Sequence, residues 1–249
     1  MAALFAAFGF VPGLAVGSFL NVVAARVPER RSVVHPRSAC GNCGTTLAWY
    51  DNVPLFSFAV LRGKCRSCGT RIGLIYPAVE LTAAALIAGC LLAFGPTPRA
   101  LVSAFFCATL VTVSATDIRR RVIPNQIVLP AAAIVLVGMT IVHPSPAWAI
   151  AALGASGFLL VAALAYPAGM GMGDVKLALL IGAGLGVVTP VGLMIGMLAG
   201  LVPSVVLVAR HGRAARKMPF PFGPCLAFGA VVALFAGAPI LHWWLSLGR

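Results

Sequence analysis

The chain of 249 residues holds five acidic side chains, Glu29, Asp51, Glu80, Asp117 and Asp174. Two of them sit where carboxylates are expensive to keep. Asp117 closes an apolar run in Ser114-Ala-Thr-Asp117-Ile-Arg-Arg-Arg-Val-Ile-Pro124-Asn125, and Asp174 opens another after Gly169-Met-Gly-Met-Gly173. An ionisable residue within a membrane span is costly, so function is the first hypothesis for each. Two carboxylates in reach of one another share a proton, because like charges at close range do not both ionise. Such a pair holds one acid and one base near neutral pH, which is the equipment for activating water against a peptide carbonyl. The plainer readings are that Asp174 caps its helix and that Asp117 pairs with the adjacent arginines. Gly169, Gly171 and Gly173 favour the chemical reading, since they leave a strip of bare backbone on which an extended substrate can lie. Their spacing is not that of a nucleotide loop, and no strand precedes them. Lys176 either acts on Asp174 electrostatically or is a topogenic charge.

A second constellation is Cys40-Gly-Asn-Cys43-Gly44 with Cys65-Arg-Ser-Cys68-Gly69. Paired C-x-x-C turns followed by glycine let four thiolates converge on one tetrahedral ion. The spacing between the pairs slightly exceeds the usual four-cysteine zinc pattern. Zinc is the expected occupant, held structurally, and two disulfides or free thiols are the alternative. Cys90, Cys107 and Cys225 lie in apolar runs and read as small buried hydrophobes.

The elements that must position these groups follow from composition. Apolar residues make up 61% of the chain and charged residues 9%, against roughly 25% charged in a soluble domain. Apolar runs of about 20 residues suit a hydrocarbon core about 30 Å thick. They exclude a soluble enzyme, a disulfide scaffold, a disordered chain and a membrane β-barrel, whose segments would be short and alternating. The expected fold is all-α: a polytopic helix bundle of about eight spans with a small zinc-binding cytosolic loop domain. The spans fall near 1–25, 77–95, 99–117, 123–142 and 147–167, in a run 175–209 split at Thr189-Pro190, and at 223–247. The functional division is a first span (1–27), a cytosolic four-cysteine domain (28–75) and a membrane core (76–249).

The net charge of +13 reads as topology rather than nucleic-acid binding. With 28–75 in the cytosol, sixteen of the eighteen Lys and Arg fall inside, leaving Arg99 and Arg249 outside. Both aspartates then lie at the cytosolic membrane edge. His35, His143, His211 and His242 read as loop or interface residues, and Trp243 and Trp244 as an outer aromatic belt. Arg119, Arg120 and Arg121 read as mainly topogenic, with contact to anionic lipid as the alternative. Gly182, Gly186, Gly192, Gly196 and Gly200 predict close helix packing.

Gly171-Met-Gly173-Asp174 resembles the GxGD motif of membrane aspartyl proteases, and the wider set resembles the bacterial prepilin peptidases, or type IV leader peptidases. Gly17-Ser-Phe-Leu-Asn21 through Arg26 and Pro28 is similar to the family's N-terminal signature. The cysteine pairs follow, with Asp51-Asn-Val-Pro54 between them and Tyr76-Pro-Ala-Val-Glu80 after them. Asp117 with Ile123-Pro124, the Gly-Met-Gly-Asp-Val-Lys run and Pro221-Phe-Gly-Pro224 complete the order. The resemblance implies cleavage of the basic leader of type IV pilin-like precursors at the cytosolic face of the bacterial inner membrane, with Asp117 and Asp174 catalytic. The cysteine-bearing loop further implies N-methylation of the new terminus with S-adenosylmethionine. Gly171, Gly173, Lys176 and Glu80 are candidate substrate contacts. Glu29, Asp51 and Glu80 are candidates for the substrate amine or cofactor, against a plain loop-solvating or capping role. Two positions depart from the family pattern, Ala168 where an acid is frequent and Asn125 where Asp is common. The rival reading is a proton-coupled transporter with the two aspartates as a relay, which would place them near the midplane. The pilin-like substrate, the oligomeric state and the pathway are not legible.

Overall fold

Apolar segments in a bilayer must satisfy their own backbone, and helices do so. The computed structural model describes residues 2–166, 170–212 and 220–246; Ala168, Gly169, Arg213, Arg216, Lys217 and Arg249 lie outside them. The long helices are α1 (Ala2–Arg26), α3 (Ile75–Phe94), α4 (Pro98–Arg120), α5 (Asn125–Val142), α6 (Ala147–Ala165), α7 (Met172–Leu185), α8 (Thr189–His211) and α9 (Gly223–Ser246), and α2 (Phe56–Val60) is a short helix in the polar loop. Among the described residues the β-structure consists of two isolated bridges, Ala39 with Thr46 and Lys64 with Arg71.

Among the described residues seven segments are long and apolar enough to cross a bilayer, where the sequence predicts about eight. The difference is Met172–Arg210, a single apolar run of 39 residues. It breaks at a 3₁₀ turn, Gly186–Val188, next to the expected Thr189-Pro190. The 14 residues of α7 rise only about 21 Å, less than the ~30 Å hydrocarbon core.

The chain packs as two compact units, Met1–Ala115 and Thr116–Arg249. This boundary, inside α4, is one of packing, distinct from the functional division expected at 28 and 76.

In the first unit α1 lies on α3 through a stripe of glycines. A Cβ on Gly9, Gly13 or Gly17 would stand 2.7, 2.7 and 2.6 Å from the Cα of Ala88, Ala84 and Glu80. Glycine every fourth residue meets the matching four-residue period of α3, so the two backbones touch, as small-residue spans do in membranes. Ala24, Val79, Ala83, Val111 and Ala115 join α1, α3 and α4 in one buried cluster. Cys90 and Cys107, both fully buried, bring their sulfurs to 3.9 Å across α3 and α4.

In the second unit α7 is the central helix, with ten buried residues, and it packs on α5, α6 and α9. Gly182 fits against the Ala151–Ala152 backbone, Gly192 and Gly196 against α9 around Gly229, and Gly200 against Phe222. Gly186 packs as well, its Cβ position 2.7 Å from the Trp148 ring of α6, and it also turns the chain. Its φ of +55° turns the chain beneath the Trp148 ring, a conformation that a side chain would strain.

Candidate active site

Each aspartate is positioned by a helix end. Asp117 lies in the last turn of α4, 5% exposed, and its Oδ2 accepts the Gly223 N–H at 2.9 Å. That donor belongs to the first residue of α9, whose early N–H groups have no partner within the helix. Asp174 lies in the first turn of α7, 8% exposed. Its backbone N–H donates to the Gly171 carbonyl at 3.0 Å, and its Oδ2 accepts the Gly171 N–H at 3.3 Å. The carboxylate therefore closes a reciprocal cap on its own helix, as one of the plainer readings anticipated.

Ile123 links the two. A Cβ on Gly173 would stand 2.9 Å from the Ile123 Cβ, and a Cβ on Gly223 would stand 3.4 Å from its Cδ1 and 2.9 Å from Asp117 Oδ2. One isoleucine thus fills the space over both glycines, and each glycine adjoins an aspartate in space or in sequence. Among the described residues neither Oδ1 accepts a protein hydrogen bond, so each carboxylate has one oxygen held and one available. Lys176 donates from Nζ to Asn125 Oδ1 at 2.9 Å. The departure at Asn125 is therefore partnered with the lysine beside Asp174 and stitches α7 to α5.

The four cysteines form two knuckles of the same build. Cys40 N–H donates to Thr45 O, and Gly44 N–H to Cys40 O, both at 2.9 Å; Cys65 N–H donates to Thr70 O at 2.8 Å and Gly69 N–H to Cys65 O at 2.9 Å. Gly44 and Gly69 carry φ of +72° and +70°, which explains the glycine after each pair. All four sulfurs lie within 4.8 Å of one another, and Cys40 and Cys68 stand 3.8 Å apart. Tetrahedral zinc with Zn–S of about 2.3 Å requires sulfurs about 3.8 Å apart, so the donor set fits that ion. The Thr70 hydroxyl and then its backbone N–H pull the Cys68 thiol down to about 6, and the backbone N–H groups of Cys43 and Asn42 lower Cys40. Both shifts favour the thiolate, the form that binds metal.

The three acids weighed for substrate or cofactor contact all have protein partners. Glu29 pairs with Arg31 at 3.1 Å, and Asp51 with Arg66 at 2.8 Å, over whose guanidinium the Tyr50 ring stacks. Glu80 accepts the Leu55 N–H at 2.9 Å, while Asn21 donates to the Tyr76 carbonyl at 3.0 Å. Gly17, whose Cβ position would lie 2.6 Å from the Glu80 Cα, and Asn21 thus form a clasp on Tyr76–Glu80, which joins these two separate motifs. Sequence reasoning missed this clasp, the Gly223 donor, the role of Ile123 and the repeated threonine in Cys-x-x-Cys-Gly-Thr. The last was readable as a repeat; the first three join residues far apart in the chain.

The chain is similar to known proteins along most of its length. Residues 11–94 match the model of the bacterial peptidase A24 N-terminal domain, and residues 104–205 that of the type IV leader peptidase family. A prepilin leader peptidase/N-methyltransferase of Bacillus subtilis is 35% identical over 96% of this chain and 97% of its own. One from Burkholderia pseudomallei is 37% identical over 97% of this chain and 88% of its own, and one from Myxococcus xanthus 38% identical over 86% and 66%. No solved structure matches the chain. Similarity at this level along nearly the whole length, through both the cysteine knuckles and the paired aspartates, means that the chain belongs to the type IV leader peptidase family.

Proposed function

We propose that the protein is a membrane aspartyl endopeptidase that removes the leader of type IV pilin-like precursors and N-methylates the exposed terminus, with Asp117 and Asp174 as its catalytic pair. The observation that carries the reading is the matched state of the two carboxylates. Each is buried at a helix end, fixed through Oδ2 by a backbone N–H, and has Oδ1 unengaged by the described residues. One carboxylate takes a proton from water as the oxygen attacks the scissile carbonyl carbon, and the protonated partner donates to the carbonyl oxygen. Collapse of the tetrahedral intermediate breaks the C–N bond, and the leaving amine takes up a proton. Gly171 offers bare backbone to an extended substrate, whereas Ile123 fills the space over Gly173, and Lys176 with Asn125 fixes the flank.

A pilin-like precursor presents a basic leader in water and an apolar helix in lipid, so its scissile bond lies at the boundary. The charge distribution supports a cytosolic face for this end of the bundle, in a bacterial inner membrane. Zinc held by Cys40, Cys43, Cys65 and Cys68 would staple a loop too small for a core of its own. S-adenosylmethionine would supply an activated methyl group, and a charged cofactor calls for water-exposed residues such as those of 28–75. The relatives are named for proteolysis and methyl transfer, which leaves the proton-relay reading without support.

The test is mass spectrometry of a co-expressed pilin-like precursor. The leader should be lost and a methyl group gained with the wild-type chain. Asp117→Asn and Asp174→Asn should each leave the precursor uncut while the variant stays folded in the membrane, and appreciable cleavage by either refutes the pair.

A further inference from the structure

The loop between α1 and α3 carries apolar side chains that its own packing does not cover. Trp49 and Leu74 are each 75% exposed, Phe56 67% and Val60 60%. These residues are not scattered. The turn Trp49–Asn52 is joined to α2 by the Val53 N–H on the Tyr50 carbonyl, and the Ser57 N–H and hydroxyl both donate to the Val53 carbonyl, at 3.1 and 2.8 Å. Phe56 and Val60 are one helical turn apart and share a face.

The depth of this structure is set by Glu80. That residue lies five positions into the membrane-spanning α3, about 7.5 Å along its axis, and it holds the Leu55 N–H at 2.9 Å. The start of α2 is therefore tied at the level where a span leaves the hydrocarbon, and Leu74 stands at the same boundary. The segment is also basic. Between residues 29 and 74 seven cations face two acids, and both acids are engaged by Arg31 and Arg66. Arg62, Lys64 and Arg71 are exposed. Aromatic side chains at headgroup depth beside surplus cations match an anionic lipid surface. A basic leader would be repelled by the same charge.

We propose that residues 49–60 form a membrane-surface foot: Trp49, Phe56 and Val60 enter the headgroup layer of an anionic leaflet, while Arg62, Lys64 and Arg71 meet lipid phosphates. The foot holds the cysteine knuckles against the bilayer, and its existence does not depend on the peptidase reading.

The full chain in nanodiscs, with and without phosphatidylglycerol in phosphatidylcholine, tests it. The fluorescence of Trp49 is taken as the difference between wild type and Trp49→Phe, which leaves the other tryptophans in place. In anionic discs this signal should be quenched by lipids brominated near the headgroup and shielded from acrylamide, and the shielding should weaken in neutral discs. Replacing Arg62, Lys64 or Arg71 by Gln should lower the docked-to-undocked ratio about fivefold per charge. Hydrogen–deuterium exchange over 49–60, which needs no variant, should be slower in anionic than in neutral discs. A Trp49 signal open to acrylamide in anionic discs overturns the proposal. So does exchange indifferent to lipid charge, or shielding that arises only with added precursor or with more than one chain per disc.

Discussion

Replacing Gly223 by Ala tests the geometry of the candidate site without removing a carboxylate. The added Cβ would stand 2.9 Å from Asp117 Oδ2 and 3.4 Å from its Cγ, where ordinary contact begins at 3.4 Å. The carboxylate must therefore retreat by about half an ångström, and a misplacement of about 1 Å in a catalytic array costs about a hundredfold in rate. The same retreat stretches the 2.9 Å bond from the Gly223 N–H. A hydrogen bond to a charged group contributes about 1.5–3 kcal/mol, or about ten- to a hundredfold. Cleavage by Gly223→Ala should fall within that range, read as kcat in a detergent or nanodisc assay on a pilin-like precursor. Gly154→Ala and Gly157→Ala on α6 are the controls. A Cβ at either meets nothing within 4 Å, and both variants should cleave at the wild-type rate with unchanged or slightly raised stability. Wild-type turnover by Gly223→Ala would refute the claim that Gly223 positions Asp117. A loss shared equally by the two controls would show that the assay reads helix content rather than the site.

Gly13→Leu should disrupt the α1–α3 seam, since even its Cβ would lie 2.7 Å from the Ala84 Cα; overpacking of about 1–3 kcal/mol should lower the thermal midpoint measured in detergent micelles. Metal analysis of the purified chain should give about one zinc per monomer, lost on Cys40→Ser with Cys65→Ser, and a metal-free protein with intact knuckles would contradict the assignment. In chelator-treated protein at pH 7, Cys68 should be the first knuckle thiol alkylated by iodoacetamide. Its pKa of about 6 makes it mostly thiolate there, and protection should return as the pH is lowered below that value and the thiol reprotonates.

The parts of this protein legible in its sequence are those whose signal is local. Asp117 and Asp174 stand out because charge is scarce in apolar runs, the cysteines because their pairs repeat, and the helices because apolar length decides them. The Met172–Arg210 run shows the limit. Its break is marked by Thr189-Pro190, but a proline does not reveal that the first half is only 14 residues long. The Gly9-Gly13-Gly17 period is visible in the sequence but was missed as a packing signal, and its partner, Ala88-Ala84-Glu80, was out of reach. Gly223 donates to Asp117 across 106 positions, and Glu80 holds Leu55 across 25. Such bonds carry no pattern along the chain, because a backbone N–H is the same in every residue except proline.

The cap made by Asp174 and the catalytic role proposed for it do not exclude each other. Asp174 does cap α7, through Gly171, and the cap holds the carboxylate at the helix start. Asp117 is fixed on the N-terminal end of α9, whose unpaired N–H groups and positive dipole end favour an anion there. A group fixed by one oxygen loses rotational freedom before substrate arrives, so the other oxygen meets water at no further entropic cost, which is what positioning contributes to catalysis. Gly173 serves by keeping a Cβ off Ile123, and Gly223 by letting the start of α9 come within hydrogen-bonding distance of Asp117. On the proposed reading, what makes Asp117 and Asp174 look structural in isolation is the means by which they would be held as a pair.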